Sequence, residues 1–187
     1  MEEFEKIKKL ESIFFLEAHI HQNMGSKNNG HRQLIREDIV SNFKKQLSYE
    51  EQVQILNLDL IPSSRSVNIS ISHCPDLGGY VASNEKVGFD IEDPSRLKQE
   101  IIQRVATPEE IALTHNSKML WTMKEAALKA LHNINLIITD IQIIQIESHS
   151  ETELWTYRAH SAKALDLKLN KGYFFEKNNL FFSIYFK

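Results

Sequence analysis

Two segments of different hydrophobic period constrain the fold of this chain more than any other feature. Residues 87–92 alternate strictly between apolar side chains and glycine or carboxylate, which is typical of a half-buried strand. Residues 120–131 instead place apolar side chains three and four positions apart, which is typical of an amphipathic helix. Because one strand face carries both Asp90 and Glu92, two carboxylates are predicted to lie side by side near the end of a strand.

The helical segment carries an acid and a base on the side opposite its apolar stripe. Glu125 and Lys129 lie one turn apart on that side, and the stripe consists of Leu120, Met123, Ala127, Ala130 and Leu131. If Glu125 faces the end of the strand, three carboxylates converge with a lysine one turn beyond. Such a cluster suits a hard cation, because Mg²⁺ takes oxygen ligands and shares its coordination shell with substrate phosphates. Each part of this cluster also has a simpler explanation. Asp90 and Glu92 are as typical of a solvated strand end as of a metal site, and Glu125 with Lys129 is typical of an ordinary ion pair on a helix surface.

A third segment, residues 67–73, alternates in the same way. Its apolar residues are predicted to point inward and Ser70 and Ser72 outward, with His73 at the end of the strand. Together the three segments resemble the 4′-phosphopantetheinyl transferase superfamily, whose pattern is a Ser-x-Ser-His strand, then Gly-x-Asp-x-Glu, then Trp-x-x-Lys-Glu-Ala-x-x-Lys. These motifs occur here in order at Asn68–His73, Gly88–Glu92 and Trp121–Lys129, and looser likenesses lie at 31–36 and 104–110.

The resemblance implies an activity, a metal and two partners. Members of the family transfer the 4′-phosphopantetheine arm of coenzyme A to a serine of an apo acyl or peptidyl carrier protein and release adenosine 3′,5′-bisphosphate. The chain resembles the holo-acyl-carrier-protein synthase type, as a pseudo-dimeric single chain with a shortened N-terminal lobe. Mg²⁺, which Mn²⁺ can replace, is the implied cofactor, and coenzyme A is the implied substrate.

The resemblance also implies roles for individual residues. The implied metal ligands are Asp90, Glu92 and Glu125. The implied catalytic residues are Glu125, Lys129 and Glu110, and the residues implied to bind coenzyme A are Ser72, His73, Lys124, Arg32, Arg36 and Arg65. Several of these positions have simpler explanations. Glu110 suits the first turn of a helix through the helix dipole, Lys124 can extend to water, and Arg32 with Arg36 can belong to a solvated helix face.

One departure from the family pattern concerns the residues ahead of the Ser-x-Ser-His strand. Larger members carry a Gly-Lys-Pro element there, whose lysine contacts coenzyme A. Residues 58–65 contain no such element, and Arg65 is the only cation among them. The resemblance is therefore weakest where the nucleotide would be anchored.

The predicted fold class is α+β. The resemblance implies two similar lobes related by a pseudo-twofold axis, each a small antiparallel sheet packed with helices, with the site between them. The N-terminal lobe is predicted at residues 1–84 and the C-terminal lobe, which carries the metal site, at 85–187. Residues 67–92 are predicted to form a three-stranded meander. Helices are predicted at 31–47, 96–105 and 108–115, and later strands at 137–147, 152–159, 171–176 and 180–186.

Composition and charge exclude several classes of protein. A net charge of −3 is too close to neutral to favour nucleic-acid binding. The single cysteine, Cys74, excludes an internal disulfide framework and fits a reducing compartment. No apolar run approaches the roughly 18 residues that span a bilayer. The sequence thus predicts a cytoplasmic globular protein with neither a nucleic-acid nor a membrane partner.

Two other functions are compatible with the sequence. A catalytically degenerate member of the family could dock on a carrier protein or synthase without transferring anything, and another Mg²⁺-dependent nucleotide enzyme could use the same three acids. The retention of three carboxylates and Lys129 favours the transferase. A binding module freed of catalysis has no physical need for carboxylates that converge.

Overall fold

Two antiparallel sheets organise the structure, a computed structural model that describes residues 2–11, 15–22, 30–57, 67–75, 77–131, 135–149, 153–163 and 171–187. The strands are β1 (Leu16–Gln22), β2 (Asn68–Cys74), β3 (Leu77–Ser83), β4 (Val87–Glu92), β5 (Gln142–His149), β6 (Leu154–His160), β7 (Lys171–Lys177) and β8 (Leu180–Phe186). The first sheet has the order β1-β3-β2, and the second has the order β4-β8-β7-β6-β5. The predicted α+β class is confirmed.

Six α-helices accompany the sheets in the described part of the chain. They are α1 (Glu2–Leu10), α2 (Gly30–Phe43), α3 (Tyr49–Leu56), α4 (Gln99–Val105), α5 (Pro108–Ala112) and α6 (Met119–Leu131), and a 3₁₀ turn covers Ile138–Asp140. Helix α5 begins as its sequence predicts, because Thr107 caps it and Glu110 completes a capping box with the Thr107 backbone. Among the described residues, no helix combines the length and apolar character needed to cross a membrane.

The predicted three-stranded meander over residues 67–92 is wrong in one respect. Strands β2 and β3 do form a hairpin, but β4 pairs with β8 in the other sheet, with Phe89 opposite Ile184. The apolar face of β4 packs in one cluster with Tyr173, Phe175 and Phe182 of the last two strands. Hydrophobic alternation identifies a strand but not its partner, and this partner lies about a hundred residues further along the chain.

The two sheets meet where their edge strands β2 and β4 lie side by side. The Ser70 hydroxyl accepts the backbone N–H of Phe89 at 2.9 Å, and the Ser72 hydroxyl accepts that of Ile91 at 3.0 Å. Both bonds join residues 19 positions apart, so the two strands advance in the same direction. Serine side chains therefore satisfy backbone donors that the edge of a sheet would otherwise leave unpaired.

Helix α6 is the central helix of the C-terminal half and packs on β4 and β8. The predicted apolar stripe of this helix is buried in full. Gly88 of β4 permits the contact, because a Cβ atom at this position would lie 1.9 Å from the carbonyl oxygen of Ala126 and 2.4 Å from the backbone nitrogen of Ala130. The glycine thus allows the helix backbone to approach the strand directly.

One hydrophobic cluster draws on both halves of the chain. Phe4 of α1 and Leu77 and Val81 of β3 share it with β4 and with β7. The Phe4 ring makes edge contacts with Phe89 at 5.9 Å and with Phe175 at 5.5 Å, measured between ring centroids. The division at residues 84 and 85 stays a prediction, and the core runs across it.

Candidate functional site

A cleft of about 440 Å³ opens where β2, β4, α2 and α6 meet. Its described lining consists of Arg32, Arg36, Ile71, Ser72, His73, Asp90, Ile91, Glu92, Trp121, Glu125 and Lys129. Most of the residues singled out from the sequence are in this set. Four elements that are distant in sequence supply them, so the fold brings these residues to one place.

The placement of the acids follows from the alternation of β4. Its apolar side chains enter the shared cluster, so the opposite face, which carries Gly88, Asp90 and Glu92, is turned towards α6. On α6, Glu125 and Lys129 lie on the side that borders the cleft. The strand supplies two carboxylates and the helix supplies a third, together with an amine one turn further along.

Asp90 is the most highly connected acid in the cleft, and it is 5% exposed. Its Oδ1 atom accepts a hydrogen bond from Lys129 Nζ at 2.7 Å and another from the Ser72 hydroxyl at 2.8 Å. Lys129 also donates to the carbonyl oxygen of Phe89 at 3.1 Å, so the lysine crosses from the helix to the strand. The Oδ2 atom of Asp90 is buried and has no hydrogen-bond partner among the described residues.

The prediction that Ser70 and Ser72 point outward is wrong. Both are buried, at 6% and 4% exposure, because they face β4 across the seam between the sheets. Alternation separates the two faces of a strand correctly, but it does not reveal that a second sheet covers the polar face.

Burial and like charge act together on the two less connected acids. Burial raises the pKa of Glu125, the charge of Asp90 raises it further, and the nearby Lys129 opposes both effects. Burial also raises the pKa of Glu92, although the Asp93 backbone N–H, which donates to Glu92 at 3.0 Å, lowers it. A cation in the cleft would relieve the cost of keeping these carboxylates charged.

The basic side of the cleft comes from α2 and the end of β2. The Arg32 guanidinium donates to the Nε2 atom of His73, with Nε at 3.3 Å and Nη2 at 3.1 Å. Arg36 donates to the carbonyl oxygen of Ile55 at 2.7 Å, which ties α2 to α3. Three basic side chains, Arg32, Arg36 and Lys129, thus line the same cleft as three acids.

Comparison with known proteins identifies one matching family. The sequence model of the 4′-phosphopantetheinyl transferase superfamily matches residues 86–179, which is about half of the chain. The chain belongs to this superfamily. No curated protein matches the sequence significantly. Membership in the 4′-phosphopantetheinyl transferase superfamily supports phosphopantetheine transfer as the general activity, and the matched region contains β4 and α6.

The donor set of this superfamily member can be tested against a divalent cation. In the described ranges, no three His, Cys, Asp or Glu side chains are arranged to hold an ion by themselves. Mg²⁺ is commonly bound by one or two carboxylates together with substrate phosphates, so a ready-made protein cage is not required. The unpaired, buried Oδ2 atom of Asp90 is an oxygen of the kind that such a cation takes. The residues therefore fit a metal that binds together with a phosphate ligand.

Glu110 and Lys124 lie outside the lining of the cleft. They form an ion pair with Nζ 2.7 Å from Oε1, and both are 1% exposed. Glu110 also accepts the Ile143 backbone N–H at 2.7 Å, and Lys124 donates to the Val105 carbonyl oxygen at 2.6 Å. This pair connects α5 and α6 to β5 and borders a separate pocket. The roles in catalysis and coenzyme A binding proposed for these residues stay predictions.

Two further residues complete the comparison with the sequence. Arg65 lies outside the described residues. Trp121, the first residue of the third motif, is partly buried and lines the cleft as well as packing on the core. Its position four residues before Glu125, on the same face of α6, is the signal that could have placed it there.

Proposed function

We propose that this chain transfers the 4′-phosphopantetheine arm of coenzyme A to a serine of an apo carrier protein and releases adenosine 3′,5′-bisphosphate. The observation that carries the proposal is the meeting of three carboxylates and three basic side chains in one cleft of a 4′-phosphopantetheinyl transferase superfamily member. A pyrophosphate substrate needs both kinds of group, since its oxygens attract cations and its bound metal attracts carboxylates.

The reaction places specific demands on the chain. The carrier serine hydroxyl gives up its proton to water, and its oxygen bonds to the phosphorus that bears the pantetheine arm. The pyrophosphate P–O bond breaks, and the electron pair leaves with the nucleotide. Negative charge grows on phosphoryl oxygens, so the protein contributes positioning and charge neutralisation. Asp90, Glu92 and Glu125 would hold Mg²⁺ or Mn²⁺. That ion would neutralise pyrophosphate charge when bound.

Lys129 would act as a cation near the transferred phosphoryl group. In the structure its Nζ atom is held by Asp90 Oδ1 at 2.7 Å, and its side chain is 30% exposed to the cleft. A lysine has three donors and a flexible stem, so Lys129 can exchange one of these contacts for a phosphate oxygen. This explains why the lysine lies beside a proposed metal ligand.

Arg32, Arg36 and His73 would hold the phosphates further from the reacting bond, including the 3′-phosphate of the nucleotide. The Arg32–His73 contact places a guanidinium and an imidazole next to each other in the cleft. An arginine can bind a phosphate through two parallel hydrogen bonds. These two arginines offer a substitute for the absent Gly-Lys-Pro element.

The direct test is the mass of the acceptor. The chain is incubated with coenzyme A, Mg²⁺ and a panel of apo acyl and peptidyl carrier proteins, and each carrier is weighed intact. At least one carrier is expected to gain one phosphopantetheine arm on a single serine, and the gain should disappear with EDTA. The Asp90→Asn variant is the matched control, because it keeps the side-chain shape but loses a charged ligand.

The two alternative functions predict different results in the same assay. A degenerate binding module would bind a carrier and leave its mass unchanged. Another Mg²⁺-dependent nucleotide enzyme would consume coenzyme A or a nucleotide without modifying any carrier. Unchanged masses across the panel, with coenzyme A binding verified, would contradict the proposed transfer.

A further inference from the structure

Two serines of β2 make the same kind of hydrogen bond to the backbone of β4, and only one of them also bonds to side chains of the cleft. Ser70 and Ser72 are both buried, and each hydroxyl accepts one backbone N–H of β4, at 2.9 Å and 3.0 Å. With respect to the seam between the sheets the two hydroxyls are equivalent. They therefore form a matched pair.

Only Ser72 reaches the cleft. Its hydroxyl donates to Asp90 Oδ1 at 2.8 Å and accepts from Lys129 Nζ at 3.2 Å, in addition to the Ile91 N–H. A serine hydroxyl has one donor and two acceptor sites, so these three bonds use its whole capacity. In this arrangement the only hydrogen of the Ser72 hydroxyl is donated to Asp90, and the role in coenzyme A binding predicted for Ser72 stays a prediction.

We propose that Ser72 is a positioning residue that orients Asp90 for the divalent cation. The inference rests on the proposed function, since it assumes that the cleft binds a metal. Ser72 engages Oδ1, so Oδ2, which is buried and unpaired among the described residues, is the oxygen that remains available to the ion. The serine thereby decides which carboxylate oxygen faces the metal.

Lys129 cannot perform this task as well as Ser72. Lys129 reaches Oδ1 through a long, partly exposed side chain, and its proposed role is to contact a phosphate. Ser72 is short, 4% exposed and fixed by its bond to the β4 backbone. When the lysine moves towards substrate, Ser72 is the described donor that still holds Oδ1. Hydrogen bonds to metal ligands of this kind commonly change metal affinity ten- to a hundredfold.

The experiment compares Ser72→Ala with Ser70→Ala in the full chain. Mn²⁺ affinity is measured by the loss of the free-ion electron paramagnetic resonance signal, in the presence of coenzyme A and without a carrier protein. Ser72→Ala is expected to weaken Mn²⁺ binding on the order of tenfold or more, and Ser70→Ala by less than about twofold. Both variants should lose thermal stability, since each leaves one β4 N–H without its acceptor, and the loss should be larger for Ser72→Ala, which also removes the donor to Asp90.

Each outcome decides the question. Equal Mn²⁺ affinity in the two alanine variants would reduce Ser72 to a seam residue, and absence of Mn²⁺ binding to the wild type would overturn the inference together with the metal site. If Ser72→Ala does not fold, Ser72→Cys is compared with Ser70→Cys, because a thiol has nearly the size of the hydroxyl and is only a weak hydrogen-bond donor. Weaker Mn²⁺ binding by Ser72→Cys alone supports the inference, and equal binding by the two cysteine variants would contradict it. If Mn²⁺ affinity depends on Ser72 but no carrier protein is modified, the inference about Ser72 is supported and the proposed transfer reaction is contradicted.

Discussion

Lys124 and Lys129 lie five residues apart on one helix, and their surroundings give them different tasks. Lys124 is 1% exposed and paired with a carboxylate that is equally buried, whereas Lys129 borders the cleft and reaches Asp90. Burial lowers the pKa of Lys124, although Glu110 opposes this effect. From the sequence alone both lysines are predicted to belong to the site. A helical wheel cannot separate them, because it does not show which residues of neighbouring elements contact each lysine.

Substituting each lysine by alanine should separate these tasks. Lys129→Ala is expected to lower kcat/KM by a factor on the order of 10², because it removes a cation that stabilises the transition state. Lys124→Ala is expected to lower the free energy of unfolding by about 3–5 kcal/mol, because it leaves Glu110 as an uncompensated buried charge. Steady-state kinetics and urea denaturation of both variants measure the two effects.

If folded Lys124→Ala lost as much kcat/KM as Lys129→Ala with little loss of stability, Lys124 would belong to the reacting centre.

Glu125 should make stability depend on pH in a defined direction. Burial and Asp90 raise the pKa of its carboxyl, so the stability it contributes is complete below the unfolded pKa of about 4.3 and is lost as pH rises through the folded pKa. Without metal, Glu125→Gln is therefore expected to match the wild type near about pH 4 and to exceed it near about pH 7. Urea denaturation across this range, in EDTA, measures the difference. If the wild type instead became more stable than Glu125→Gln as the pH rises, the pKa of Glu125 would be lowered by folding, and the prediction would be wrong.

At the scale of helices and strands, the sequence predicts those features that depend only on hydrophobic periodicity and helix capping. The face of β4 that carries the acids, the buried stripe of α6 and the start of α5 at Thr107 all follow from neighbouring residues. The pairing of β4 with β8 and the burial of Ser72 do not, because they depend on contacts with segments far along the chain. The acids of the site were predictable from sequence, whereas the hydrogen bonds that orient them were not.

The contact between β4 and α6 should be sensitive to a single methyl group at Gly88. A Cβ atom there would lie 1.9 Å from the Ala126 carbonyl oxygen, which is backbone and cannot rotate away. Gly88→Ala is expected to cost about 1–3 kcal/mol of stability or more, and to weaken Mn²⁺ binding because the helix that carries Glu125 must move from the strand that carries Asp90. Thermal denaturation and the Mn²⁺ titration measure the two effects.

Gly172→Ala is the control for overpacking as such. Its Cβ would meet the Tyr157 ring at 2.1 Å, and neither residue is among those described as lining the cleft. This variant should lose stability and weaken Mn²⁺ binding less than Gly88→Ala does, because Tyr157 contacts α6 through the hydrogen bond from its hydroxyl to the Met123 carbonyl oxygen, at 3.1 Å, and not through the β4–α6 contact itself. Weakened Mn²⁺ binding of equal size in both glycine variants would show that general loosening, and not the spacing of β4 and α6, controls the site.

For the whole molecule, the cleft depends on two sheets remaining in a fixed relation. Ser70 and Ser72 join their edges, and the hydrophobic cluster beneath includes residues of both. Helix α1 adds to this connection, since Phe4 packs against β4 and β7, and Glu3 pairs with Lys177 at 2.8 Å. The first helix thus packs against the sheet that is otherwise built from the second half of the chain.

A shared core predicts that both sheets unfold in one cooperative transition. Phe4→Ala is expected to lower the free energy of unfolding by about 3–5 kcal/mol, since it removes a 3% exposed ring that contacts Phe89 and Phe175. Because the cluster belongs to both sheets, the loss should appear equally in hydrogen-exchange protection of the β3 and β8 amides. If the β8 amides lost protection while the β3 amides kept theirs, the sheets would be independent units. The cleft between them would then be held by the serine seam alone, and Ser70→Ala with Ser72→Ala would be expected to separate the acids of β4 from the basic residues of α2.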